Sequence, residues 1–148
     1  MTEDELRAFV RESNLIEGID REPSETEIGA TGEFLSFKAL HVHHLEKLVH
    51  YFQLGARLRN QPGLNVRVGN HIPPDGGPDV EDALREILHN AASRLFSPYT
   101  VHHQYEALHP FTDGNGRSGR ALWLWMMGGQ APLGFLHHFY YQALEAGR

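Results

Sequence analysis

No cysteine occurs among the 148 residues, which excludes a disulfide scaffold, a thiolate zinc site, an iron–sulfur cluster and a thiol nucleophile. Positive charge is scarce as well. Thirteen Lys and Arg against nineteen Asp and Glu give a formal net charge of −6, so no polyanion-binding footprint exists and nucleic acid is not an expected partner. Long apolar runs are also missing: the most apolar stretch, Ala121 to Met127, falls far short of the roughly 20 residues that a membrane-spanning helix needs. The first residues are acidic, unlike the basic and apolar start of a secretory signal. A soluble, cytoplasmic protein without a membrane partner is expected. What is present suits one compact domain, since 41% hydrophobic and 22% charged residues exclude disordered, collagenous and coiled-coil chains.

The dominant periodicity is helical. Thr2 with Glu5 forms a capping-box pattern, followed by the apolar face Leu6, Phe9 and Val10. Pro23 breaks the chain, and Ser24 with Glu27 offers a second N-cap. Leu40, Leu45, Leu48, Val49 and Phe52 form another stripe that ends near Gly55. A third, Val80, Leu84, Ile87, Leu88 and Ala91, is entered through Gly76-Gly77-Pro78. Pro98 opens a helix at its first turn, with Val101, Tyr105 and Leu108 on one side. Between Leu64 and Ile72 the pattern changes: apolar residues alternate, meet Gly69-Asn70, and stop at Pro73-Pro74. This reads as a short two-stranded flap. The expected fold is all-α with one small β-hairpin.

The chemistry concentrates in His109-Pro110-Phe111-Thr112-Asp113-Gly114-Asn115-Gly116-Arg117-Ser118-Gly119-Arg120. Pro110 disfavours helical geometry at His109, so a helix ends there. A loop rich in Gly and Asn follows, and then Ala121 to Met127 continues as a helix with no polar face, hence buried. Free N–H groups and the positive dipole end at such a helix N-terminus form an anion site, with phosphate the usual occupant. Arg117 and Arg120 share one side of the first turns and can hold further phosphates. Asp113 is a hard oxygen ligand suited to Mg²⁺, and a neutral His109 can take a proton from an attacking hydroxyl. Base, metal ligand, anion nest and cations together describe phosphoryl or nucleotidyl transfer. The run Gly114 to Gly119 also fits the dinucleotide pattern G-x-G-x-x-G, but that reading needs a preceding strand and an acid about 20 residues on, and both are missing.

These twelve residues match, at every fixed position, the signature H-x-F-x-[DE]-G-N-G-R-x-x-R, and the chain thereby resembles the Fic-domain family. The resemblance implies a Fic-type helical bundle that moves AMP from ATP, with Mg²⁺, onto a Ser, Thr or Tyr hydroxyl of a target protein and releases pyrophosphate. It implies His109 as the general base and Asp113 as the metal ligand. Gly114, Asn115 and Gly116 become the nest for the α- and β-phosphates, Arg117 the β-phosphate contact and Arg120 the γ-phosphate contact. Phe111 is similar to the plug that anchors the loop in the core. The unaltered Gly114 to Arg117 run sets the chain apart from the Doc branch, which transfers the γ-phosphate instead.

Two more segments resemble family elements. Val68, Gly69, Asn70, His71 and Ile72 are similar to the flap that docks a target segment by strand addition. Tyr140 and Tyr141 are similar to a C-terminal helix that walls the adenosine pocket. Ser13-Asn14-Leu15-Ile16-Glu17-Gly18 fits [ST]-x-x-x-E-[GN], the inhibitory motif of Fic proteins. On a helix over 3–17, Ser13 and Glu17 share a face and Gly18 ends it. The resemblance then implies that Glu17 reaches Arg120 and displaces the γ-phosphate, with residues 1–22 as an inhibitory helix and 23–148 as the core. Removal of AMP from a modified protein, with Glu17 positioning a water, uses the same residues and stays open, as does other nucleotidyl transfer. The nucleotide base, the target and the homo-oligomeric state are open too; some relatives regulate the brake by dimerising. Histidines crowd at His41, His43 and His44, but no third metal ligand can be nominated from the sequence.

Overall fold

The computed structural model describes residues 1–130. Six helices follow in order: α1 (Glu3–Ile16), α2 (Glu25–Ser36), α3 (Val42–Phe52), α4 (Pro78–Ser93), α5 (Pro98–Leu108) and α6 (Asn115–Met126). Tyr140 and Tyr141 lie outside the described residues. Among the described residues no helix is long and apolar enough to cross a membrane.

Helix starts follow local chemistry. Thr2 accepts from the Glu5 N–H at 3.1 Å, and Glu5 accepts from the Thr2 N–H at 3.3 Å. Ser24 and Glu27 repeat the reciprocal pair at 3.1 and 2.8 Å. Pro78 and Pro98 occupy first turns, where a missing N–H costs nothing. Glu17 caps α1 instead of belonging to it. Gly18, at φ 78°, donates to Leu15 O, and Ile19 donates to Asn14 O, a Schellman ending that requires the left-handed glycine.

α6 is the axis of the molecule. Its residues from Asn115 to Leu124 are buried apart from Gly116, and it packs on α5, α2, α3 and α1. The main core gathers residues of α2 to α6 and of the loops between them, including Phe34, Leu45, Leu48, Leu84, Tyr105, Phe111 and Leu122. α1 seats on a separate patch, where Phe9 and Val10 meet Trp123 and Leu124.

Glu27 fastens α1 to α2. Its buried carboxylate accepts from Arg21 at 2.7 Å and from the Asn14 amide at 3.2 Å, besides its own cap. Burial pushes its pKa up, but hydrogen bonds from Arg21, Ser24 and Asn14 outweigh burial and hold it at about 2. A depressed carboxylate stabilises the fold above its unfolded pKa and loses that contribution as pH falls through the folded value. Thermal stability is therefore expected to decline between about pH 4.5 and pH 2. Melting curves of wild type and Glu27→Gln check this: the variant should lose most of the decline, and equal slopes would remove Glu27 as its source.

The expected hairpin does not form. Val68 and His71 make one antiparallel bridge, exchanging N–H···O bonds of 3.0 and 2.9 Å across Gly69-Asn70. Pro73 and Pro74 have no N–H to extend a ladder. Instead the segment is tied inward: Arg59 donates to Leu64 O and Pro74 O, and the Asn65 side chain accepts from the Gly76 N–H. A second isolated bridge, Leu58 with Phe111, clips the start of the same segment to the loop before α6. In the histidine cluster the His41 and His43 rings stack with centroids 5.7 Å apart, His43 and His44 are tilted at 4.2 Å, and His44 Nδ1 accepts from the His41 N–H. Among the described residues no group of three or more side chains could hold a metal ion.

Candidate active site

The site lies where α5 ends and α6 begins, and each turn of that connection has a local cause. His109 caps α5 with left-handed angles, φ 51° and ψ 64°. For a residue with a β-carbon this costs about 1–3 kcal/mol and persists only where neighbours enforce it. Arg59 does so: its wholly buried guanidinium donates to His109 O at 2.6 Å and Leu108 O at 2.8 Å, as well as to Leu64 O and Pro74 O. Four carbonyls, two of them at a helix C-terminus, stand in for a carboxylate partner. Nothing in the residues flanking Arg59 marks it, and the sequence reading missed it.

Phe111 is buried, and Asn115 fixes the loop above it. The Asn115 side chain accepts from the Phe111 N–H and donates to Phe111 O, both at 2.8 Å. Its side chain thus shapes the loop, leaving only its N–H to face the anion nest. Gly114 caps α6 at φ 78°, where a β-carbon would be strained. Below it, Tyr105 Oη and Ser118 Oγ lie 2.7 Å apart, and Ser118 Oγ donates to Gly114 O. Among the described residues the N–H groups of Asn115, Gly116 and Arg117 reach no acceptor. They point out of the helix end as the anion argument requires.

Both arginines are buried. Arg117 stacks over the Phe52 ring at 5.2 Å and donates to Gln53 at 3.4 Å, with no carboxylate in ion-pair range among the described residues. Burial lowers its pKa while Glu17 opposes the shift. Arg120 turns toward α1. Its Nε donates to Ser13 Oγ at 2.8 Å, and its Nη2 donates to Ser13 O at 3.0 Å and Glu17 Oε1 at 2.6 Å. The Arg120 side chain is 5% exposed and that of Glu17 39%. A β-carbon on Gly116 would collide with the Glu17 carboxylate, so the glycine admits an acid onto the helix end.

His109 stands across the loop. Its Nδ1 is 3.3 Å from Glu106 O, and since a carbonyl only accepts, Nδ1 carries the proton and Nε2 keeps its lone pair. Burial lowers its pKa, the Glu106 carbonyl resists, and Arg59 and His71 add to the lowering. The ring is therefore neutral at pH 7. Asp113 is exposed, with Oδ1 accepting from the Gly114 N–H at 2.8 Å. The structure brings together His109, Asp113, the start of α6, both arginines, Ser13 and Glu17. Of the flap, His71 reaches the neighbourhood, its Nε2 lying 2.8 Å from Ala107 O. Ile72 projects into solvent.

The model of the Fic/DOC family matches residues 36–127, from the end of α2 through α6, and leaves α1 outside the match. No solved structure matches the chain.

Proposed function

The chain belongs to the Fic/DOC family, and on that premise we propose that it is an AMP transferase held in check by its own N-terminal helix. One observation carries the reading: the γ-phosphate position implied for Arg120 is filled by the Glu17 carboxylate, an anion on a site built for anions. In the active form ATP lies over Gly114 to Arg117, with Arg117 and Arg120 on its outer phosphates. His109 Nε2 takes the proton of a target hydroxyl while that oxygen bonds to the α-phosphorus. The bond from the α-phosphorus to the α,β-bridging oxygen breaks, and pyrophosphate leaves with that electron pair. Positioning and charge stabilisation supply the rate enhancement. Asp113 keeps one carboxylate oxygen clear of the Gly114 N–H and suits a hard cation; it would hold Mg²⁺, which when bound neutralises charge on the polyphosphate. Residues 1–22 form the brake and 23–148 the core.

The test replaces Glu17 by glycine. A charge-assisted hydrogen bond contributes about 1.5–3 kcal/mol, and the half-wet carboxylate places this pair at the lower end. Glu17→Gly should therefore bind Mg·ATP and label lysate proteins about 10- to 30-fold better than wild type. Label at the α-phosphate should be retained on protein and label at the γ-phosphate should not. Equal labelling by wild type and Glu17→Gly would remove the brake, and γ-label on protein would replace AMP transfer by phosphoryl transfer. A second reading has its own observation: one oxygen of Glu17 has no partner among the described residues and is open to a water. Under it, wild type strips AMP from a modified target and Glu17→Gly does not.

A further inference from the structure

Ser118 is an awkward residue for its place. It is wholly buried near the start of α6, where alanine is the better helix former, and its hydroxyl bonds back to the carbonyl four residues earlier, a contact that competes with the helix. Its presence makes sense through what the hydroxyl holds. Ser118 Oγ lies 2.8 Å from Gly114 O, 3.3 Å from Asn115 O and 2.7 Å from Tyr105 Oη. A carbonyl only accepts, so the serine proton goes to the carbonyls and the phenol donates to the serine. Tyr105, wholly buried on α5, thereby leaves the serine hydroxyl one orientation.

The two carbonyls matter because of the groups that share their peptide planes. A trans peptide unit points its C=O and its N–H in opposite directions. Gly114 O is held by the Ser118 N–H at 3.0 Å as well as by the hydroxyl. Tying Gly114 O and Asn115 O toward Ser118 turns the N–H groups of Asn115 and Gly116 the other way, out of the helix end. Those are two of the three nest donors that reach no acceptor among the described residues. Gly114, at φ 78°, has no side chain to restrain its own plane, so the restraint comes from the turn behind it.

We propose that Ser118 and Tyr105 are positioning residues for phosphate recognition: the serine hydroxyl aims the N–H groups of Asn115 and Gly116 at the anion, and the tyrosine hydroxyl locks the serine in that role. The inference rests on the reading of the α6 start as a polyphosphate site. Being wholly buried, neither side chain meets the nucleotide itself. Both act by keeping the donors aimed before the phosphate arrives, so that none has to reorient on binding. Their contribution is therefore read as affinity for phosphate groups.

The test uses the full chain in the Glu17→Gly background, with Mg·ATP and inorganic pyrophosphate as separate calorimetric probes. Ser118→Ala should bind both about 3- to 10-fold more weakly, the range that one neutral hydrogen bond contributes. That variant leaves the Tyr105 hydroxyl buried without a partner, so Ser118→Ala with Tyr105→Phe is measured beside it, since removing both polar partners spares the fold. The pair should bind no more weakly than Ser118→Ala alone, because the tyrosine acts through the serine. Ser118→Thr keeps the hydroxyl and should restore affinity. By NMR, the Asn115 and Gly116 amide protons should move downfield on adding pyrophosphate, and by less in the paired variant. A hydroxyl that served only stability would lower the melting temperature and leave affinities and amide shifts at the parent values, which overturns the inference. Losses that add between the two positions overturn it too, while AMP transfer by the parent keeps the proposed function. Pyrophosphate binding that depends on Ser118, with no AMP reaching protein, removes the proposed function and upholds the inference. If the parent binds neither probe, the start of α6 is no anion site and both fall.

Discussion

Replacing His109 by asparagine is expected to lower nucleotidyl transfer by about 100- to 10,000-fold, the range that a positioned general base contributes. Asparagine is the informative choice, because position 109 is left-handed and asparagine tolerates those angles better than most residues with a β-carbon. The variant should melt with wild type and bind Mg·ATP as tightly, because the nest and both arginines are untouched. Loss of turnover with binding retained separates a proton acceptor from a structural cap. The measurement belongs in a Glu17→Gly background, where the brake does not mask the rate. There the acid limb of kcat/KM should fall below the ordinary histidine value of about 6.5, since burial and the nearby Arg59 and His71 charges disfavour the protonated ring. Transfer persisting in His109→Asn within tenfold of the parent would remove the imidazole from the mechanism.

Arg59→Met is expected to destabilise the protein by about 3–5 kcal/mol, because it leaves four buried or partly buried carbonyls without a donor at about 1–3 kcal/mol each, less what water recovers. Methionine keeps length and apolar packing, so the loss isolates the four hydrogen bonds to Leu64, Pro74, Leu108 and His109 carbonyls. Against a typical total of about 5–15 kcal/mol, this approaches the whole margin. Urea denaturation checks it. Arg59→Lys keeps the charge but not the fork, and should recover part of the loss. The damage should also be local: the 57–77 segment and the end of α5 exchange amide hydrogens faster in Arg59→Met than α4 does. A variant as stable as wild type would show that water satisfies those carbonyls.

Much of the site was legible because its parts are neighbours in the chain. His109 before a proline, an acid ahead of Gly114, and two arginines in the first turns of an apolar helix imply a base, a metal ligand and an anion nest from spacing alone. The capping boxes at Thr2 and Ser24 and the prolines opening α4 and α5 were readable for the same reason. The flap was misread. Alternation around Gly69-Asn70 is the mark of a hairpin, but hydrogen bonds from Arg59 tie the segment at Leu64 and Pro74, and only Val68 and His71 pair. Spacing places Asn115 at the nest through its N–H; that its side chain also staples Phe111 is not legible there.

From the order of residues alone came the helical class, the loop that carries the chemistry and the pairing of Ser13 with Glu17 on one face, since each depends on contacts within a few positions. Tertiary structure alone decided that Ser13 and Glu17 meet Arg120 across more than a hundred residues and that Arg59 holds the strained turn at His109 from fifty residues away. The reason is physical. A periodic pattern states which side of a helix is buried, but the partner of a buried charge is chosen by how the helices pack, and no local spacing encodes that choice.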